Sequence, residues 1–364
     1  MLNLGKFSPR SFDWKLFVSV LLLILIGLSA IYSVDLSRGS GLVDFKKQLL
    51  AFGVGLVLLT LVSMIQYKVW QYSAKWFFLA ALLLLIAVLF FGSTIRGTRG
   101  WFAFTGFSFQ PVEVAKIGII LMLAYIISKF GRRFERPLFF FGTLVITLAL
   151  IFLVMLQPDL GSAVLLGAIW FGLMWAVGSR RLFLILLVSV IMALGVSGWF
   201  FFLKDYQKDR ITTFINPSRD PLGSGYNITQ STIAIGAGKL FGRGLGFGSQ
   251  SQMKFLPEAQ TDFIFSVIGE ELGLAGVCLL LVLFGIIFWR LIVLIRSAED
   301  DFVSAAATGI LILFFVQFIT NVAATIGLLP ITGVTLPFVS YGGSSLIINL
   351  FLVGLLESMQ VKKY

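Results

Sequence analysis

A chain with no histidine and one cysteine, Cys278, must carry out whatever chemistry it does with carboxylates, Lys, Arg, Ser, Thr, Tyr or Asn. The same count excludes disulfides, Cys/His zinc sites, His-dependent triads and haem ligated by His. Four polar clusters stand out. The first runs from Gly97-Thr98-Arg99-Gly100-Trp101-Phe102 to Gln110-Pro111-Val112-Glu113-Val114-Ala115-Lys116, where Pro111 suits a first helical turn and Glu113 and Lys116 share a face at i, i+3. Such a pair either clamps helices together or faces a wet cavity, and the spacing leaves both open. The second, Gln157-Pro158-Asp159-Leu160-Gly161-Ser162, offers a carboxylate whose spacing favours helix capping. The third spans 327 to 345, with Pro330, Pro337 and Ser340-Tyr341-Gly342-Gly343-Ser344 but no charge, and predicts a loop that dips into a bundle where it lines a cavity. The fourth opens with Lys204, Asp205, Lys208, Asp209 and Arg210, alternates glycine at Gly242, Gly244, Gly246 and Gly248, and ends Glu258-Ala259-Gln260-Thr261-Asp262-Phe263-Ile264-Phe265. Spacing alone makes Asp262 a helix N-cap and the glycines a flexible loop.

These clusters interrupt a chain of 364 residues that is 58% hydrophobic and 12% charged, with a mean hydropathy of +0.99. That balance belongs to a membrane protein. Windows of roughly 20 apolar residues predict about ten spans, near 14–34, 47–66, 75–92, 111–130, 137–156, 162–178, 182–203, 263–289, 302–328 and 344–360. The fold class is therefore all-α, a polytopic helical bundle forming one membrane unit over 1–364 with a long extracellular loop at about 204–261. One set of span ends carries Lys6, Arg10, Lys15, Lys68, Lys75, Lys129, Arg132, Arg133, Arg136, Arg180, Arg181, Arg290, Arg296, Lys362 and Lys363, against Arg38, Lys46, Lys47, Arg96 and Arg99 in the opposite short loops. Both termini are thereby predicted to be cytoplasmic. The net charge of +11 is not gathered into a basic stripe interleaved with aromatics, which disfavours nucleic-acid binding. Ser251-Gln252-Met253-Lys254 lacks the companion elements of penicillin-binding enzymes, and Gly238-Lys239 is followed by Leu240, so neither marks a nucleophile or a P-loop.

The strings themselves resemble a known family. Glu258-Ala259-Gln260-Thr261-Asp262-Phe263-Ile264-Phe265 with Gly269-Glu270-Glu271-Leu272-Gly273, Gln110 to Lys116, Gln157 to Gly161, and Leu336-Pro337-Phe338-Val339-Ser340-Tyr341-Gly342-Gly343-Ser344 are together similar to the SEDS proteins (shape, elongation, division and sporulation), over about residues 10–360. The segment from Asp220 to Gly236 is more similar to the elongation branch. Val112 and Gln260 depart from the family pattern, and the latter stands where many members have His, so no neighbouring imidazole can assist here.

The resemblance implies a peptidoglycan glycosyltransferase that polymerises lipid II at the outer face of the bacterial cytoplasmic membrane. It also implies a class B penicillin-binding protein as partner, packed against the eighth and ninth spans. Asp262 matches the family's proposed catalytic Asp and would take the proton of a sugar hydroxyl. Glu113 and Lys116 match residues thought to line a cavity and to orient substrate, with Ser340 and Tyr341 further substrate-binding or cavity candidates. Arg96, Arg99, Arg210 and Lys254 are exterior cations that could stabilise the departing pyrophosphate. A divalent cation such as Mg could share that work on Asp159 or Glu258. Two other classes remain open, a lipid II flippase and a non-catalytic scaffold for the penicillin-binding partner.

Overall fold

The computed structural model describes residues 12–39, 41–95, 97–104, 107–130, 134–201, 224–253, 255–256 and 258–360. Ten apolar helices occupy the predicted positions: α1 (Trp14–Arg38), α2 (Val43–Ser63), α3 (Tyr67–Phe91), α4 (Pro111–Phe130), α5 (Pro137–Met155), α6 (Leu160–Ala176), α7 (Arg181–Phe201), α10 (Ile264–Ser297), α11 (Asp301–Thr325) and α12 (Gly343–Gln360). Eight are long and apolar enough to cross a membrane, while α6 and the apolar start of α7 are shorter. Their ends follow local chemistry. Asp13, Asp159 and Asp300 cap α1, α6 and α11 through their carboxylates, Pro111 and Pro137 open α4 and α5, and Gly39 closes α1 in the left-handed region.

The inner helices are α4 and α12, buried over 72% and 78% of their spans, against 28% for α2 and 22% for α3. Outward faces are apolar, as on Trp76, Phe90, Val145 and Phe152, which suits contact with lipid. Where the sequence suggests only loop, the described residues between 93 and 109 form a small antiparallel sheet of β1 (Ser93–Ile95), β2 (Thr98–Phe104) and β3 (Phe107–Phe109) in the order β1-β2-β3. The long predicted loop also contains helix: α8 (Ser224–Ala237) and the single turn α9 (Ser249–Gln252).

The largest departure from the sequence reading lies in α10, predicted as one span at 263–289. Gly273 has φ 66° and ψ −163°, so two helical arms meet there. Residues 274–297 reach about 36 Å at ~1.5 Å per residue, enough on their own for a ~30 Å hydrocarbon core. Arm 264–272 is buried over nearly its whole length. The loop at 238–244 wraps the joint. Arg243 and Gly244 donate their amides to Glu270 O and Glu271 O (both 3.0 Å), and Lys239 O and Leu240 O accept from the Leu274 and Ala275 amides (2.9 and 3.0 Å). The groups orphaned by the break are thus re-paired. A Cβ on Gly242 would lie 2.1 Å from Glu271 O, so this glycine allows close packing and is not a sign of a flexible loop.

Two buried carboxylates pin the neighbouring segment. Glu270 accepts from the Gln250 and Ser251 amides (2.8 and 3.1 Å), and Glu271 from the hydroxyls of Ser33 (2.5 Å) and Ser251 (3.3 Å) and the Gln252 amide (3.3 Å). At the other end of the bundle Arg290 pairs with Asp13 at 2.6 Å, Gln360 donates to the same carboxylate, and Glu357 accepts the Asp13 amide. A cavity of about 750 Å³ lies at that end, lined by Tyr67, Lys68, Gln71, Arg290, Asp300 and Gln360 among others.

Candidate active site

Asp262 stands on a turn, 258–263, immediately before α10. Glu258 O closes the turn by accepting from the amides of Thr261 (3.0 Å) and Phe263 (3.4 Å), with Glu258 itself at φ 51°. The residue at the helix N-cap is Phe263, whose side chain makes no capping hydrogen bond. The capping role that spacing gives Asp262 therefore does not hold, because the helix begins one residue too late for it. Asp262 is half-buried, between the buried Thr261 and Phe263.

Three consecutive carbonyls of this turn are gripped from other elements. Gln260 O accepts the Tyr341 amide at 2.8 Å, Thr261 O the Ser340 hydroxyl at 2.7 Å, and Asp262 O the Asn321 side-chain amide at 3.1 Å. Asn321 also donates to Val334 O at 2.9 Å. The Ser340 oxygen accepts from the Leu336 amide at 2.9 Å, and Gln48 of α2 brackets the same segment by donating to Ser340 O and accepting from the Gly342 amide. The segment at 327–342 does dip into the bundle, as its composition suggested, and its task there is to hold the turn that carries Asp262.

The remaining clusters join the same assembly. At Gly161 a Cβ would meet Thr332 O at 2.6 Å, so the start of α6 lies directly on the 332–334 segment. Asp159 caps that helix through the Ser162 amide (2.9 Å) and hydroxyl (2.7 Å), and also accepts from Gln110 at 3.2 Å. Gln110 precedes α4, whose first turns carry Glu113 and Lys116. Their ion pair is 2.8 Å long and both side chains are 4% exposed. Glu113 Oε2 is buried with no hydrogen bond among the described residues.

Several candidates have other employment. The Arg99 guanidinium donates to Phe90 O and Gly92 O, closing the end of α3. Ser340 is 5% exposed, and its hydroxyl both donates and accepts within the protein, which makes it a strut between the 327–342 segment and the Asp262 turn. Tyr341 is half-buried and Glu258 accepts from the Thr261 hydroxyl. Arg96, Arg210 and Lys254 lie outside the described residues. No group of three or more Asp, Glu or Cys among the described residues is arranged to hold a metal, and both Asp159 oxygens are engaged in capping and in the Gln110 contact. Asp159 is thus engaged as a helix cap and as the partner of Gln110.

Asn321 and Gln317, buried one turn apart on α11, were not singled out from the sequence, and Glu270 and Glu271 on α10 were quoted only as part of a motif, with no role assigned. A polar residue inside an apolar span was the available signal.

A ten-helix bundle that gathers four ordered polar motifs around a carboxylate at one end defines a member of the family expected from those motifs. The chain belongs to the FtsW, RodA and SpoVE family, described as cell cycle protein, whose model matches residues 13–364. Among curated relatives, the probable peptidoglycan glycosyltransferase FtsW of Trichlorobacter lovleyi is 37% identical over 96% of this chain and 93% of its own. Stage V sporulation protein E of Bacillus subtilis is 37% identical over 99% and 98%, and the peptidoglycan glycosyltransferase MrdB of Escherichia coli K12 is 36% identical over 94% and 93%. A chain of a solved peptidoglycan synthase complex that coordinates polymerisation and crosslinking superimposes with a TM-score of 0.83 at 31% identity, covering 97% of this chain and 99% of that one. The rod shape determining protein RodA of Thermus thermophilus gives 0.73 at 29% identity, over 97% and 98%.

Proposed function

We propose that this chain is a peptidoglycan glycosyltransferase that polymerises lipid II at the outer face of the cytoplasmic membrane, with Asp262 as general base. The observation that carries the reading is the Asp262 turn itself, held through three consecutive carbonyls by the 327–342 segment and α11, with Asp262 one residue ahead of the N-cap of α10. The names of the relatives support the reaction. A sugar C4 hydroxyl is a weak nucleophile. As it bonds to the anomeric carbon of the second sugar, its proton passes to the Asp262 carboxylate and the C1–O electron pair leaves with the lipid pyrophosphate. An N-cap would hold its carboxylate as a hydrogen-bond acceptor for helix amides and weaken it as a base, so the position of Asp262 before the cap favours base catalysis. Arg96, Arg210 and Lys254 remain the cations assigned to the leaving group.

In this reading both termini are cytoplasmic, because the basic ends of the spans face inward. The likeness of the 220–236 segment to the elongation branch supports a role in elongation. A single-span class B penicillin-binding protein packs against α10 and α11, whose outward faces expose Leu274, Val282, Trp289, Phe315 and Ile319. The test is purified protein given labelled lipid II with its partner. Glycan strands form with the parent, and Asp262→Asn abolishes them while leaving folding and partner binding intact. Headgroup movement across liposomes without polymer would instead make the protein a flippase. Undiminished strands from the Asn variant, together with failed growth, would make it a scaffold.

A further inference from the structure

We infer that Asn321 and Ser340 are positioning residues for Asp262, acting on the backbone of its turn. The inference rests on the reading of Asp262 as the base. A carboxylate that must meet a hydroxyl within hydrogen-bond reach needs a fixed backbone, and a misplacement of ~1 Å costs about a hundredfold in rate. Turn 258–263 belongs to no helix. Its internal bonds all run to Glu258, at its far end. Orientation therefore falls to the outside donors, and these are in register: Tyr341, Ser340 and Asn321 take the carbonyls of Gln260, Thr261 and Asp262 in turn. The donor on Asp262 O is the only one of the three from α11, and its second bond, to Val334 O, fixes the amide plane. Asn321 is 3% exposed, so water cannot take over its role without entering the bundle. Ser340 is likewise buried, and its accepted bond from Leu336 aims the hydroxyl proton at Thr261 O. Neither side chain is offered to a substrate. Both act through Asp262.

The experiment compares Asn321→Leu, Ser340→Ala and Ser340→Thr with the parent in the complex with its partner. It reads kcat and KM for labelled lipid II, and hydrogen–deuterium exchange of the amides at 261 and 263. Expected are a fall in kcat of about ten- to a hundredfold in Asn321→Leu and Ser340→Ala with KM within about threefold. Amide exchange in the turn becomes faster while thermal melting stays cooperative. Ser340→Thr, which keeps the hydroxyl, restores kcat. Unchanged exchange, or a loss of kcat that Ser340→Thr does not restore, overturns the clamp. If Asp262→Asn is fully active, the base assignment falls, and exchange in the turn still decides the clamp by itself.

Discussion

Replacing Gly273 with alanine tests whether the loop at 238–244 holds the joint of α10. At φ 66° and ψ −163° the backbone occupies a region that is essentially glycine-only, worth about 1–3 kcal/mol against an L residue. An added Cβ would lie 2.2 Å from Gly242 N and 2.8 Å from both C and O of Leu240. These neighbours are main chain, which cannot swing away as a side chain could. Relief requires the loop to move, and the loop carries the four hydrogen bonds that re-pair the broken helix. At roughly 1 kcal/mol net for each, losing some or all of them brings the expected cost to about 3–6 kcal/mol. Gly285→Ala, in the second arm with nothing within 4 Å, is the control and gains about 0.5–1 kcal/mol. Both variants are unfolded by SDS titration in mixed micelles and assayed for glycan synthesis. Equal stability of the two would refute the argument, since α10 would then tolerate a continuous helix through 273.

Lys116→Met strands the Glu113 carboxylate in the bundle and is expected to cost about 3–5 kcal/mol. In Glu113→Gln with Lys116→Met, stability returns and glycan synthesis stays lost, as measured by unfolding titration beside the polymerisation assay; recovery of both would reduce the pair to a clamp. Asp159→Ala loses the α6 cap and about 1 kcal/mol, while Asp159→Asn keeps most of it, with the cation dependence of synthesis equal to the parent's in both. A new magnesium requirement in either variant would return Asp159 to metal binding. Glu271→Ala leaves the Ser33 hydroxyl without its acceptor, while Ser251 and Gln252 keep Gly248 O and Ser33 as theirs, and loses about 1–3 kcal/mol, seen as faster proteolysis of 238–252, while Glu271→Gln retains more than half of that stability.

The ten helices were legible because an apolar run of about 20 residues has few other solutions, and the span ends agree within about four residues except at the start of α3, which begins at Tyr67 and not 75, and the end of α10, which runs on from 289 to Ser297. Asp159 and Pro111 were legible as helix starts for the same local reasons that the structure displays. Asp262 shows where such reasoning fails. A carboxylate two residues before a helix and one at its cap look alike in sequence, and the difference is made by Glu258 O, which closes the turn at Phe263. The joint at Gly273 was hidden because a single glycine inside a span is ordinary. Its partners at 239–244 are distant enough that only the fold pairs them. The glycines of that loop carried a true signal with the wrong meaning attached. Positive φ at Gly242, Gly244 and Gly246 belongs to a packed loop as readily as to a mobile one. Asn321 had the clearest unread signal, an amide in the last turns of the ninth span, yet nothing in the string tells which carbonyl it will meet.

The joint in α10 also separates two demands that most membrane enzymes place on one helix. Residues 274–297 answer to the thickness of the surrounding lipid by tilting, and the arm that leads to Asp262 is anchored to protein on every side. The depth of the acidic group is thereby decoupled from acyl-chain length, and turnover in short-chain and long-chain vesicles should differ far less than the tilt of the outer arm.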